Sequence, residues 1–292
     1  VIQHHIPRAV LVLAVPALLL CARPAASGDN PPLPSAEEVI QKVQARATDA
    51  AERQAVAQHR YVQRTVIDKL DEKGHIREHE ERMYDVGPLT GGVYARLVQK
   101  NGRSLTPTEL REEHEREQRF RERDKAQKFG GGDSDRVPLD AQLFQRYKAE
   151  VVSREVVDGR PALVLHFWPR STDLPIRRRQ DYVLNKLTGQ VWVDEQDWVV
   201  VKVEAHTTER VRVLLGLLAT LDRVELAFQQ MRLADDIYLP LRLTASFQGR
   251  KLFTSLHENV QVDWTGQRSP QETAGAPAAQ APANGSSPKP RP

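Results

Sequence analysis

Gly189-Gln-Val-Trp-Val-Asp-Glu-Gln-Asp-Trp-Val-Val-Val-Lys-Val-Glu-Ala205 is the stretch on which the reading of the whole chain turns. Two runs rich in valine and tryptophan flank the polar step Glu195-Gln196-Asp197. β-Branched and aromatic residues on both sides of a polar step predict a β-hairpin. In its second arm Val199, Val201 and Val203 fall on one face and Lys202 and Glu204 on the other, by strand alternation. A strand with one apolar and one wet side belongs in an antiparallel sheet. Nothing in the stretch has the pattern of a catalytic constellation.

Outward from the hairpin, the same alternation recurs. Val224, Leu226 and Phe228 share a face, as do Ile237, Leu239, Leu241, Leu243, Ala245 and Phe247, and then Leu252, Leu256, Val260, Val262 and Trp264. Upstream, Tyr61–Asp68 and Ile76–Val86 predict a hairpin through Gly74, followed by a strand at Val93–Gln99 ending at Asn101-Gly102. Glu150–Val157 and Ala162–Trp168 make another pair around Asp158-Gly159-Arg160. Gln248-Gly249-Arg250 reads as a turn of the same kind, and Gly189 as a cap after Tyr182–Thr188. Val211–Leu221 fits a strand or a short apolar helix, and either core or a cover over the sheet.

Helices are few. Ser35 and Glu38 form a capping box that opens a helix running to about Gln58, with Val39, Ile40, Val43, Ala47, Ala50 and Ala51 as its stripe. Thr106, Pro107 and Glu109 open a second helix, Leu110–Lys128, dense in both charge signs and anchored by Leu110, Phe120 and Phe129. It reads as a solvated insertion or as a docking arm, followed by the flexible Gly130–Asp135 loop. Leu139–Arg146 predicts a short helix. Residues 169–180 read as an exposed loop, in which Arg177-Arg178-Arg179 is a solvated rim or a site for an anion.

The ends have a different character. His4, His5 and Arg8 precede the apolar run Ala9–Ala22, and Ala25-Ala26-Ser27 supplies small residues, so residues 1–28 read as a secretory signal peptide cleaved after Ser27 or Gly28. Val1 fits a GTG start codon in a bacterial gene. Cys21, the one cysteine, sits where a lipoprotein is acylated, but Leu20 before it favours plain cleavage; the mature chain then has no thiol. Residues 29–34 are a linker. From Gln267 to Pro292 the chain is rich in Pro, Ala, Gly, Ser and Gln and is expected to be disordered.

Composition excludes several functions. The chain has 292 residues with 42 Lys+Arg against 39 Asp+Glu, a net charge of +3, too near neutral to argue for nucleic acid. No Gly-x-Ser-x-Gly, Walker loop, dinucleotide fingerprint or Cys-x-x-Cys occurs. His75-Ile-Arg-Glu-His79 has the inverted zinc-protease spacing. In a strand, however, at roughly 3.3 Å per residue, the two histidines start roughly 13 Å apart, too far for one zinc. No catalytic residue, metal or cofactor is expected, and a hydrolase has only this histidine pair in its favour.

A leader, then Ser35-Ala-Glu-Glu-Val-Ile-Gln-Lys-Val43, then a strand meander resembles the bacterial outer-membrane lipoprotein carrier and sorting superfamily. The Gly189–Glu204 hairpin, Ile237-Tyr-Leu-Pro-Leu-Arg242 and the Gly249-Arg-Lys-Leu-Phe253 turn are similar to its recurrent segments. The resemblance spans most of residues 35–265. It implies an α+β, mainly antiparallel fold: an incomplete β-barrel of about eleven strands closed by helices, here with a charged insertion at 103–138. It also implies a periplasmic protein that carries or senses a lipid or an acylated protein in an apolar cavity, with transient membrane contact. Val191, Val193, Val199, Val201, Val203, Leu226, Phe228, Leu241, Leu243 and Phe247 are the expected lining. The alternative is an envelope-stress regulator that docks a protein partner on the 107–128 helix.

Overall fold

The computed structural model describes residues 31–49, 58–89, 92–126, 141–171, 173–178, 180–213, 219–233, 237–252 and 254–268. Residues 1–28, read above as a signal peptide, nearly all of the Pro/Ala-rich tail, Ala50 and Ala51, Phe129, the Gly130–Asp135 stretch and Leu214–Leu218 lie outside them.

Helix α1 spans Ala36–Ala47. The Ser35 Oγ accepts the Glu38 amide at 3.2 Å, as a capping residue should. The Glu38 carboxylate turns forward to Lys42 (2.7 Å), so the return arm of the box is replaced by an i,i+4 ion pair. Val39 and Val43 are its buried residues.

Twelve strands follow: β1 (Arg60–Leu70), β2 (Ile76–Leu89), β3 (Gly92–Lys100), β4 (Arg103–Ser104), β5 (Tyr147–Val157), β6 (Arg160–Pro169), β7 (Leu187–Asp194), β8 (Val200–Thr207), β9 (Val211–Val213), β10 (Ala219–Arg232), β11 (Tyr238–Lys251) and β12 (Thr254–Arg268). They form one antiparallel sheet in the order β4-β3-β2-β1-β12-β11-β10-β8-β7-β6-β5, with β9 on β10. The sheet is open: β4 and β5 end it and do not pair with each other. Helices α2 (Pro107–Ala126), α3 (Ala141–Phe144) and α4 (Asp181–Leu184) complete the described chain.

Alternation placed the hairpins well, and left-handed backbone at Gly74, Gly102 and Gly159 sits at the tight turns. Two glycine readings are corrected. Gly189 is inside β7 and caps nothing; a Cβ there would stand 2.0 Å from the Glu204 carbonyl oxygen, so only glycine admits β8 so close. Gly249 likewise lies within β11, where a Cβ would meet the Thr220 oxygen at 2.1 Å, and the turn comes later, at Leu252 with φ 55°. β12 reaches Arg268, into the stretch expected to be disordered.

Helix α2 is less solvated than its composition suggests. Both arms of its capping box form: the Glu109 amide donates to Thr106 Oγ1 (3.3 Å) and the Thr106 amide to Glu109 Oε2 (2.8 Å). Arg103 and the Thr106 amide hold the Glu109 carboxyl down at about 2. Its inner side lies on β3. Buried Glu113 accepts from the Tyr94 hydroxyl (2.8 Å) and from Arg116, Arg116 also reaches the Ala95 carbonyl, and Phe120 packs on Tyr94 at 5.0 Å. Leu110, expected as an anchor, is exposed.

Candidate functional site

The register lines up the apolar side chains of eight strands. One row runs Val151, Leu165, Val191, Val203, Phe228, Leu243, Val262, Thr65 from β5 to β1, each residue directly opposite the next. The row beside it runs Ala149, Phe167, Gly189, Ala205, Leu226, Ala245, Val260, Ile67. Directly paired residues point to the same side, so both rows lie on one face. Small residues sit near the middle of the second row, which leaves room between the larger side chains of the first.

Helix α1 covers the β5–β8 half of this face. Val39 and Val43 pack with Leu163, Leu165, Val193 and Val200 in one buried cluster, with Val191 and Val203 against it. At roughly 1.5–3 kcal/mol for each buried valine, this contact alone fixes the helix. On the other half, Leu226, Phe228, Leu243, Ala245, Phe247, Val260, Trp264 and Ile67 are only half-buried. Phe228 and Trp264 meet edge to face at 6.4 Å.

The hairpin at 187–207 is locked by a charge network at its turn. Asp194 is 2% exposed, and its Oδ1 accepts the Gln196 and Asp197 amides at 2.9 and 2.8 Å. Arg160 forks onto both Asp194 oxygens, at 2.5 and 3.0 Å. Asp197 Oδ2 accepts from Arg160 (2.7 Å), Arg232 (3.0 Å) and the Tyr238 hydroxyl (2.7 Å). Burial pulls the Asp194 carboxyl up, but Arg160 and the two amides outweigh it and hold the group below the usual carboxylate range. Burial, together with the bond to Asp197, pushes the Tyr238 phenol up. Every charge here is answered, so the network ties β6, β7, β10 and β11 together rather than offering a reactive group. Lys42 lies over the Trp198 ring at 4.0 Å, joining α1 to the same turn.

The opposite face carries a groove of about 490 Å³ across β10, β11, β12 and β1. Its walls are the rows Ala227, Thr244, Gln261, Val66 and Glu225, Ser246, Asn259, Asp68, and Leu226, Ala245 and Val260 between those rows complete the lining. Asp68 is engaged by His79 at 2.6 Å and Glu225 by Arg223. The lining is mixed: Thr244, Ser246, Asn259 and Gln261 bring polar groups to it beside apolar Val66 and Ala227.

Of the expected cavity residues, Val191, Val193, Val203, Leu226, Phe228, Leu243 and Phe247 share the apolar face. Three do not. A bulge in β8 makes Trp192 face Lys202 and Val193 face Val200, so Val201 is the extra residue. Val199 and Val201 therefore lie with Trp192, Val164 and Tyr238 in a second cluster, and the shared face read for Val199, Val201 and Val203 is corrected. Leu241 is exposed at a register shift in β11. His75 and His79 are held by different carboxylates, Asp71 and Asp68. At the start of the arginine triplet, the Arg177 and Arg178 amides donate to buried Asp181, which also pairs with Arg146. The backbone there serves an internal anion. Neither this network nor the one at Asp194 had a sequence signal beyond isolated charges in turns.

No protein-family model matches the chain, and no curated protein matches it. Solved structures do. An outer membrane lipoprotein-sorting protein domain from Vibrio parahaemolyticus is 12% identical over 80% of this chain and 91% of that one, with a TM-score of 0.32. A LolA superfamily protein from Nitrosomonas europaea is 11% identical over 81% and 94%, with a TM-score of 0.30. A chain of the Pseudomonas aeruginosa MucA/MucB complex is also similar, at 11% identity over 78% and 94% and a TM-score of 0.25. Among the described residues no helix is long and apolar enough to cross a membrane.

Proposed function

We propose that this chain is a non-enzymatic binding protein of the bacterial periplasm that takes an acyl chain, free or attached to a lipidated protein, on the apolar face of β10, β11, β12 and β1. The observation that carries the reading is the register of that face. Leu226, Phe228, Leu243, Val260 and Ile67 stand in two aligned rows and stay half-buried beyond the part that α1 seals. A flexible hydrocarbon needs such a strip, apolar and without fixed polar partners. The charge networks are satisfied internally and supply no nucleophile or general base.

The test is mass spectrometry of lipid co-purified from periplasmic extract, followed by titration of the stripped protein with a fluorescent fatty acid. Leu243→Glu and Phe228→Glu place carboxylates in the first row and are expected to weaken uptake at least tenfold, by roughly 1.4 kcal/mol. Protein that is free of lipid and takes up no fatty acid would sink the reading.

A second reading, a regulator that docks a protein partner, draws on α2. The helix is pinned to β3 by its inner side and presents exposed Arg111, Glu112, Glu115, Arg119 and Glu122 outward. Deleting it would expose Tyr94, so reversing these five charges is the cleaner test. A regulator would lose its partner and a carrier would keep its ligand.

A further inference from the structure

Two turns at one end of the sheet expose apolar side chains that serve no packing role. β1 and β12 are antiparallel neighbours, with Lys69 opposite Glu258, so the β1–β2 turn and the β11–β12 turn project from the same end. Ile76 beside the first is 59% exposed, and Leu252 in the second is 59% exposed. Leu252 also has left-handed backbone, φ 55°, where glycine or asparagine is the ordinary occupant. That side chain belongs to none of the buried clusters of the fold.

Five exposed cations surround these turns, none with an ion-pair partner among the described residues. Lys73, Arg77, Arg212, Arg250 and Lys251 are all exposed. Arg212 and Arg250 flank Thr220 in register, one on each side. Among the described residues none of the five has a carboxylate at ion-pair distance, whereas nearby Lys69, Arg210 and Arg223 pair with Glu78, Asp222 and Glu225. Asp71 is occupied by the Lys73 and His75 amides, which leaves Glu72 and Glu258 as the opposing acids of this end.

We propose that this end of the sheet docks on an anionic phospholipid surface. Ile76 and Leu252 enter the interfacial layer, and the five cations meet the headgroup phosphates. Apolar tips ringed by Lys and Arg suit that partner, because anionic lipid rewards each basic residue by roughly fivefold in binding while a shallow apolar contact supplies the rest. A protein partner of matching acidity would need no exposed leucine held in a costly conformation. The docking surface is separate from the apolar strip on the sheet face, and its failure would leave acyl-chain binding untouched.

The full chain is sedimented with vesicles of phosphatidylglycerol and phosphatidylcholine, and with vesicles of phosphatidylcholine alone. Binding to the mixed vesicles is expected to exceed binding to the neutral ones at least about tenfold and to fall with added salt. Leu252→Asp, Ile76→Asp and the double variant Arg250→Glu/Lys251→Glu should each weaken it by a similar factor. All change exposed positions, so their melting midpoints and fatty-acid uptake should match the parent chain. No binding, equal binding to neutral vesicles, or binding unchanged in all three variants would overturn the proposal.

Discussion

Asp194 shows how much one side chain can hold. It is buried at the end of β7, where that strand pairs with β6, and it faces Arg160. Removing the Asp194 carboxylate leaves Arg160 with Asp197 as its remaining carboxylate and strips the Gln196 and Asp197 amides of their acceptor, at a cost of about 3 kcal/mol for bonds to a charged group. Asp194→Ala should therefore lower the unfolding free energy by an amount of that order, read from the urea transition at neutral pH. The pH dependence follows from the sign of the shift. Asp194 and Asp181 both titrate below the ordinary aspartate range when folded, so the stability they contribute is complete above about pH 4 and drains away as pH falls through their folded values. For Asp181, burial pulls upward and the Arg177 and Arg178 amides with Arg146 outweigh it. The acid limb of the stability profile should be shallower in Asp194→Ala than in the parent; identical limbs would remove Asp194 from the account. Gly189 makes the converse case. An alanine Cβ at this position would stand 2.0 Å from the Glu204 oxygen, so Gly189→Ala forces β7 and β8 apart and should cost about 3 kcal/mol, read from the same midpoint. An unaffected midpoint would mean the two strands have slack at this crossing.

At the scale of elements, helix α2 is the piece whose role turned on packing. Glu113→Ala leaves the Tyr94 hydroxyl and the Arg116 guanidinium without their shared acceptor. Hydrogen bonds to charged groups contribute about 1.5–3 kcal/mol, so amide exchange across 107–126 should accelerate at least about tenfold while β6 and β7 remain protected. Protection lost equally everywhere would mean α2 is part of the core rather than an attached element. The same helix shows what could be read from sequence. Thr106, Pro107 and Glu109 announced its start because capping is local chemistry. Glu113 gave no signal, since its burial depends on Tyr94 and Arg116 arriving from elsewhere. The strands divide in the same way. Alternation located the hairpins and correctly grouped Leu226 with Phe228 on β10 and Leu243 with Phe247 on β11. It failed at Val201 and Leu241, where one extra residue flips the side chains that follow and leaves the local pattern of valines and leucines unchanged. Gly189 and Gly249 looked like turn residues because the reason for glycine, a neighbouring strand at close range, lies outside the local sequence.

At the scale of the molecule the sheet has two faces with different chemistry, and the strands β10, β11, β12 and β1 present both. Neighbouring residues on β11 make the contrast direct: Ala245 stands in the apolar row with Leu226 and Val260, while Thr244 lies beside Ala227 on the wall of the polar groove. Bulk added at each face separates the two sites. Ala245→Trp inserts an indole between Leu226 and Val260, where an acyl chain would lie, and should reduce fatty-acid uptake at least about tenfold. Ala227→Trp fills part of the groove on the other side and should leave uptake within about twofold. Neither position is fully buried, so both variants should retain a cooperative melt, which is measured first. The reverse result, uptake lost in Ala227→Trp and kept in Ala245→Trp, would move the ligand to the polar groove. A hydrocarbon would then have to lie against Thr244, Ser246, Asn259 and Gln261, whose desolvation disfavours it. Its occupant would instead be a polar molecule able to answer those groups, and the acyl-chain reading would fall with the apolar face that supports it.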